Sequence, residues 1–117
     1  MKKKLSFSDI DEKYKIVIAK VKKVVQLIVS YPFSLTIYGS VARAEETPES
    51  DLDLLLLIDG PVDFQLKQHI WESLYSVELE EDIVISLFVE SKQTWETKYA
   101  TLSLLYRNIE REGIYVG

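Results

Sequence analysis

Two aspartates one residue apart, Asp51 and Asp53, lead into a run of leucine in the stretch YGSVARAEETPESDLDLLLLID, residues 38–59. Side chains in an extended chain alternate faces, so both carboxylates share one face while Leu52 and Leu54 take the other. Neighbouring carboxylates repel unless one is protonated or a cation offsets them, and an all-oxygen pair suits a hard divalent ion such as Mg²⁺. Upstream, Gly39 and Ser40 end a strand-like segment and open a helical start. Glycine lets backbone approach a phosphate closely, free N–H groups at a helix start point at it, and the Ser40 hydroxyl adds a donor. Arg43, three residues further on, lies on the same side of a helical turn and adds a forked cationic donor. An anion site beside a cation site is the chemistry of a nucleoside triphosphate whose phosphates are bridged by metal.

Positioning these groups takes a scaffold, and 117 residues with 47% hydrophobic content suit one domain over residues 1–117. From Ser8, SDIDEKYKIVIAKVKKVVQLIVSY repeats apolar residues at Ile10, Tyr14, Val17, Val21, Val24 and Ile28, the spacing of one helix face. Ser8 with Asp11 reads as its capping box and Pro32 as its end. FSLTIYG reads as a strand stopped by Gly39, SVARAEE as a short helical turn, and TPES as a loop. Leu52 to Ile58 is apolar on both faces, which predicts a central strand covered on each side. Asp63 can cap a helix running to about Val77 with Phe64, Ile70, Leu74 and Val77 inward. DIVISLFV reads as the third strand, and SKQTWETKYATLSLLYRNIEREG as two helical pieces ending at Gly113. The expected fold class is therefore α/β (α+β), a small mixed β-sheet with helices packed on it.

The totals narrow the partners. With 14 basic against 19 acidic residues the formal charge is -5, which disfavours a broad phosphate-backbone footprint, so no nucleic-acid partner is expected. The chain has no cysteine, which excludes disulfides, thiolate metal sites and thiol nucleophiles. No stretch reaches the length of a membrane span and no signal-like apolar core follows the basic start, so residence in the cytoplasm is the default. Lys2, Lys3 and Lys4 read as a solvated terminus.

GSVARAEETPESDLDL resembles the signature of the polymerase-β-like nucleotidyltransferases, in which Gly-Ser is followed after about ten residues by Asp-x-Asp; residues 41–50 fill that gap here. Within that superfamily the chain is similar to the minimal nucleotidyltransferase (MNT) group, whose members are about this long and often pair with HEPN-domain proteins. The leading helix, the acidic start of the later strand and the ending YRNIEREGI extend the resemblance over nearly the whole chain. It implies a palm-like fold, with Gly39 and Ser40 binding the triphosphate of ATP, beside the Arg43 already read as a donor, and Asp51 and Asp53 binding two catalytic Mg²⁺ ions. A third carboxylate opens the later strand in the family; Asp82 in LEEDIVISLFV matches it best, with Glu80 and Glu81 as rivals one register step away. Ala44 stands where many members have glycine.

The implied reaction moves a nucleoside monophosphate, AMP from ATP, onto a hydroxyl, with a HEPN-type partner protein as the acceptor. The alternatives are nucleotidylation of a small molecule of aminoglycoside type, with a partner subunit completing the pocket, and a noncatalytic antitoxin-like binding module; self-association stays open. Elsewhere the plain structural readings stand. Glu45, Glu46 and Glu49 read as a solvated face, with Glu46 the surface partner that Arg43 would have if it bound no phosphate. His69 lies on the wrong element for the site, and Trp71, Trp95 and Tyr106 read as core or interface.

Overall fold

The computed structural model describes residues 5–117, so the reading of Lys2, Lys3 and Lys4 lies outside the described residues. Strands β1 (Phe33–Tyr38), β2 (Leu52–Ile58), β3 (Ile85–Ser91) and β4 (Ile114–Tyr115) form one sheet in the order β3-β2-β1-β4. β1 is antiparallel to β2 and β4, whereas β2 and β3 are parallel. Helices α1 (Glu12–Ile28) and α3 (Phe64–Glu81) lie against one face. Tyr14, Val17, Ile18, Val21 and Val25 of α1 and Ile70, Leu74 and Val77 of α3 bury themselves with Leu35, Ile37, Leu52, Leu54, Leu56 and Ile58 of the sheet. α1 is rich in β-branched residues that favour strands, and its apolar stripe against the sheet is what makes it a helix.

On the opposite face a second, smaller cluster covers the central strands. There Leu55 meets Trp95 and Ile109, with Tyr38, Phe88, Tyr99 and Tyr106 packed around them. Trp95, Tyr99, Tyr106 and Ile109 come from the tail of the chain, which runs through α4 (Lys92–Thr94), a π-helical turn (Trp95–Tyr99), α5 (Ala100–Leu102) and α6 (Leu104–Glu112). Trp95 and Tyr99 stack with ring centroids 5.4 Å apart, and Phe88 meets Tyr99 edge-on. β2 is thus apolar on both faces because both are covered over most of its length. Asp53, half-buried near the start of β2, is the polar exception. Among the described residues no helix is long and apolar enough to cross a membrane.

Four local details differ from expectation. Asp9, not Asp11, closes the capping box: its Oδ2 accepts from the Ser6 N–H at 2.9 Å and hydroxyl at 3.0 Å around a 3-10 turn, and Asp11 caps α1 by accepting from the Lys13 N–H. Phe64 opens α3 as expected after its Asp63 cap but points outward at 68% exposure. β4 is two residues long, too short to leave a periodic signal. β3 begins at Ile85 rather than Asp82, because the chain leaves α3 through Asp82 in a left-handed turn, φ 51°.

β3 lies at the edge of the sheet, where backbone groups lack a strand partner, and α3 supplies substitutes. Glu78 Oε2 accepts from the Ile85 N–H at 2.9 Å, and the Trp71 indole donates to the Leu87 carbonyl at 2.9 Å. This explains a tryptophan left 41% exposed. Trp71→Phe keeps the ring but orphans that carbonyl, with an expected loss of about 1 kcal/mol in chemical denaturation.

Candidate functional site

β1 ends at Tyr38, the cross-strand partner of Asp53, and the chain turns at once into α2 (Gly39–Ala42). That turn runs through Gly39 at φ +75°, the left-handed region that favours glycine. A Cβ on Gly39 would collide with Asp53 Oδ2 and lie 3.0 Å from Asp53 Cγ. The Asp53 carboxylate therefore rests directly on the Gly39 backbone, and the absence of a side chain there makes room for it. Asp51, exposed, sits just before β2, on the same side as Asp53.

Burial raises the Asp53 carboxyl above its ordinary value of 3.8, and the charge of Asp51 raises it further. The Arg43 guanidinium and a hydrogen bond from Ser86 pull it back. Burial and then the charge of Asp53 raise the Tyr38 phenol as well. Among the described residues no cationic side chain hydrogen-bonds either aspartate. Among the described residues the Ser40 hydroxyl has no hydrogen-bond partner either.

Arg43 ends α2. Its partners are Glu45, 3.4 Å from Nε, and Glu112 of α6, 3.3 Å from Nη1, rather than Glu46. The pairing ties the loop after α2 to the C-terminal helix while leaving the guanidinium close enough for Asp53 to feel its charge. Glu112 is held below the usual carboxylate range by Arg111 first and by Arg43 as well. Glu46 departs from the solvated-face reading, since its Oε2 is buried without a hydrogen-bond partner. Ala44 follows at φ 56°, a left-handed conformation that costs a residue with a Cβ about 1–2 kcal/mol. Ala44→Gly removes that strain against the greater chain entropy of glycine, so a net gain of about 0.5–1 kcal/mol is expected in thermal unfolding.

The structure brings Gly39, Ser40, Arg43, Asp51 and Asp53 to one end of the sheet, and it sets the expected third carboxylate apart. Asp82 is the C-terminal cap of α3, its N–H bonded to the Glu78 carbonyl. Glu80 and Glu81 both pair with Lys20 of α1, on the helical layer. Among the described residues no group of three acidic or histidine side chains could hold a metal ion. The residue that the parallel register sets beside Asp53 on β3 is Ser86, which sequence reasoning missed. Its signal was positional only: Ser86 is an exposed polar residue in the first half of β3, whose other polar residues, Glu90 and Ser91, lie at its far end. The aspartate pair, Asp51 exposed and Asp53 half-buried, with no cationic side chain among the described residues bonded to it, fits a divalent cation in charge and donor type; a three-carboxylate set does not fit these residues.

A family model described as a nucleotidyltransferase domain matches residues 18–116. No curated protein matches the chain. Among solved structures, a toxin-antitoxin with AMP-PNP is similar over 90% of this chain and 72% of its own, at 15% identity and a TM-score of 0.60. A protein from Shewanella oneidensis aligns over 88% of this chain and 71% of its own, at 16% identity and a TM-score of 0.57. A mutant of the toxin-antitoxin MntA-HpeT aligns over 86% and 71%, at 16% identity and a TM-score of 0.59. These likenesses show a shared fold.

Proposed function

The chain belongs to the nucleotidyltransferase domain family, and from that premise we propose that it transfers a nucleoside monophosphate, AMP from ATP, to a hydroxyl of a partner protein, releasing pyrophosphate. The observation that carries this reading is the Asp53 carboxylate seated on the Gly39 backbone with Asp51 beside it, which joins a phosphate-approach point to an acidic pair. Asp51 and Asp53 would hold Mg²⁺, which when bound neutralises phosphate charge and polarises the α-phosphate. Gly39 lets the polyphosphate approach the backbone, and the unpartnered Ser40 hydroxyl donates to it. Arg43, held by Glu45 and Glu112, supplies fixed positive charge at the same end of the sheet.

The toxin-antitoxin assemblies among the similar folds lend support to a partner protein as acceptor, and a HEPN-type toxin is the partner we propose. Cytoplasmic residence, where ATP is supplied, goes with this reading. Incubation with ATP labelled at the α or the γ position, Mg²⁺ and the partner tests it: α-label should move to the partner with a mass gain of one nucleoside monophosphate, and γ-label should not. Transfer of a bare phosphate would mean a different reaction. One observation favours a second reading, a module that binds Mg²⁺-ATP without transferring it: the position beside Asp53 on β3 carries serine rather than a carboxylate. Metal-dependent nucleotide binding without label transfer to any partner would select it.

A further inference from the structure

We propose that Ser86 takes the place of a third acidic ligand, so that the site binds its nucleotide with one divalent cation instead of two. The inference rests on the reading of Asp51 and Asp53 as a cation and nucleotide site. Register carries the first step. β2 and β3 run parallel with Asp53 opposite Ser86 and Leu55 opposite Phe88, so Asp53, Leu55, Ser86 and Phe88 share one sheet face. Phe88 packs with Leu55 in the aromatic cluster, which fixes that face as the one bearing Asp53. A one-residue slip would bury Ser86 and turn Leu87 out, against the observed burial of Leu87 in the helical core. Ser86 is thus committed to the site side.

Chemistry carries the second step. Ser86 sits beside Asp53 in the register of the two strands, and its hydroxyl favours the ionised Asp53 carboxylate while bringing no charge of its own. No other β3 side chain replaces the missing carboxylate: Phe88 belongs to the aromatic cluster, and Glu90, the next residue on that face, pairs with Lys67 on α3. Asp82, Glu80 and Glu81 are engaged at the end of α3 and with Lys20. Asp51 and Asp53 together offer two carboxylates. That suffices to anchor one hard cation shared with phosphate oxygens, and it leaves a second without a protein anchor of its own. Ser86 is accordingly a positioning residue for Asp53.

Counting bound Mn²⁺ by electron paramagnetic resonance, with a saturating non-hydrolysable α,β-methylene analogue of ATP, tests this directly. The full chain should bind one Mn²⁺ per bound nucleotide. Ser86→Asp, which adds a carboxylate beside Asp53, should raise the count to two, and the neutral, similarly sized Ser86→Asn should keep it at one. Because the added charge repels Asp53 in metal-free buffer, the aspartate variant's melting temperature is followed as well; it should fall below wild type without metal and gain more than wild type on adding Mn²⁺. Two ions in the wild-type chain, or a count of one in a folded Ser86→Asp, overturns the inference and leaves the nucleotide site standing. A wild-type chain that binds neither Mn²⁺ nor the analogue overturns the site reading itself, and this inference with it.

Discussion

Gly39→Ala should melt about 10–15 °C below the wild type and should lose the extra stability that Mg²⁺ with ATP confers. The left-handed backbone at φ +75° costs a residue with a Cβ about 1–2 kcal/mol. The added methyl also collides with the Asp53 carboxylate, and forcing a packed neighbour aside costs a further 1–3 kcal/mol or so. The sum, about 2–5 kcal/mol, brackets that melting shift for a domain of this size. Displacing Asp53 by about an ångström would by itself reduce transfer by roughly 10²-fold, since reactive geometry tolerates little error. A double-mutant cycle separates the two causes. With Asp53→Ala already in place the carboxylate is gone, and alanine at position 39 should cost only the backbone part, about 1–2 kcal/mol. Additive costs would mean that the Gly39–Asp53 contact is not the origin of the effect. An alanine variant with an undiminished shift from Mg²⁺-ATP would remove Gly39 from the site.

The parts of this fold that local pattern encodes were legible in the sequence. Leu52 to Ile58 read as a strand covered on both faces, Gly39 as the stop of the strand before it, and Asp63 as the cap that starts α3. Asp51 and Asp53 read correctly as sharing a face because that follows from strand geometry alone. The position beside them on β3 was not legible, for a physical reason. β2 and β3 are parallel and joined through the eighteen residues of α3, so their register is set by how that helix seats on the sheet rather than by any turn between them. An acidic run just before an apolar strand therefore looked like the strand's first residues, when Asp82 in fact belongs to the end of the helix and Ser86 faces the site. Phe64 misled for a related reason: it fits the periodicity of α3, yet the first turn projects past the edge of the core and leaves it outside. The left-handed Ala44 was foreshadowed only by the glycine that similar chains carry there, and the buried Glu46 oxygen by nothing in the local pattern.

Asp53→Asn should do two opposite things: stabilise the metal-free protein at neutral pH and reduce nucleotidyl transfer by about 10³-fold or more. The first effect follows from the sign of the carboxyl's shift. Burial, then the charge of Asp51, raise the folded-state value above 3.8, so the folded protein holds the Asp53 proton more tightly than the unfolded chain does. The contribution of Asp53 is then most favourable below its unfolded value and is lost as pH rises through the folded one, leaving a penalty at pH 7 that asparagine does not carry. The stability gap between variant and wild type should accordingly be widest at pH 7 and close as pH falls toward 4, and Mg²⁺ with ATP should raise the wild-type melting temperature but not that of the variant. Asparagine keeps the size of the side chain and an oxygen that can accept from Ser86, so the fold itself has no reason to suffer. The second effect follows because the charge lost is the one that would hold the cation against the phosphates, a term of several kcal/mol at about 1.4 kcal/mol per tenfold in rate. A variant less stable than wild type at pH 7 in the absence of metal would contradict the electrostatic account of the pair. One that still transfers α-label at more than a tenth of the wild-type rate would take Asp53 out of the chemistry.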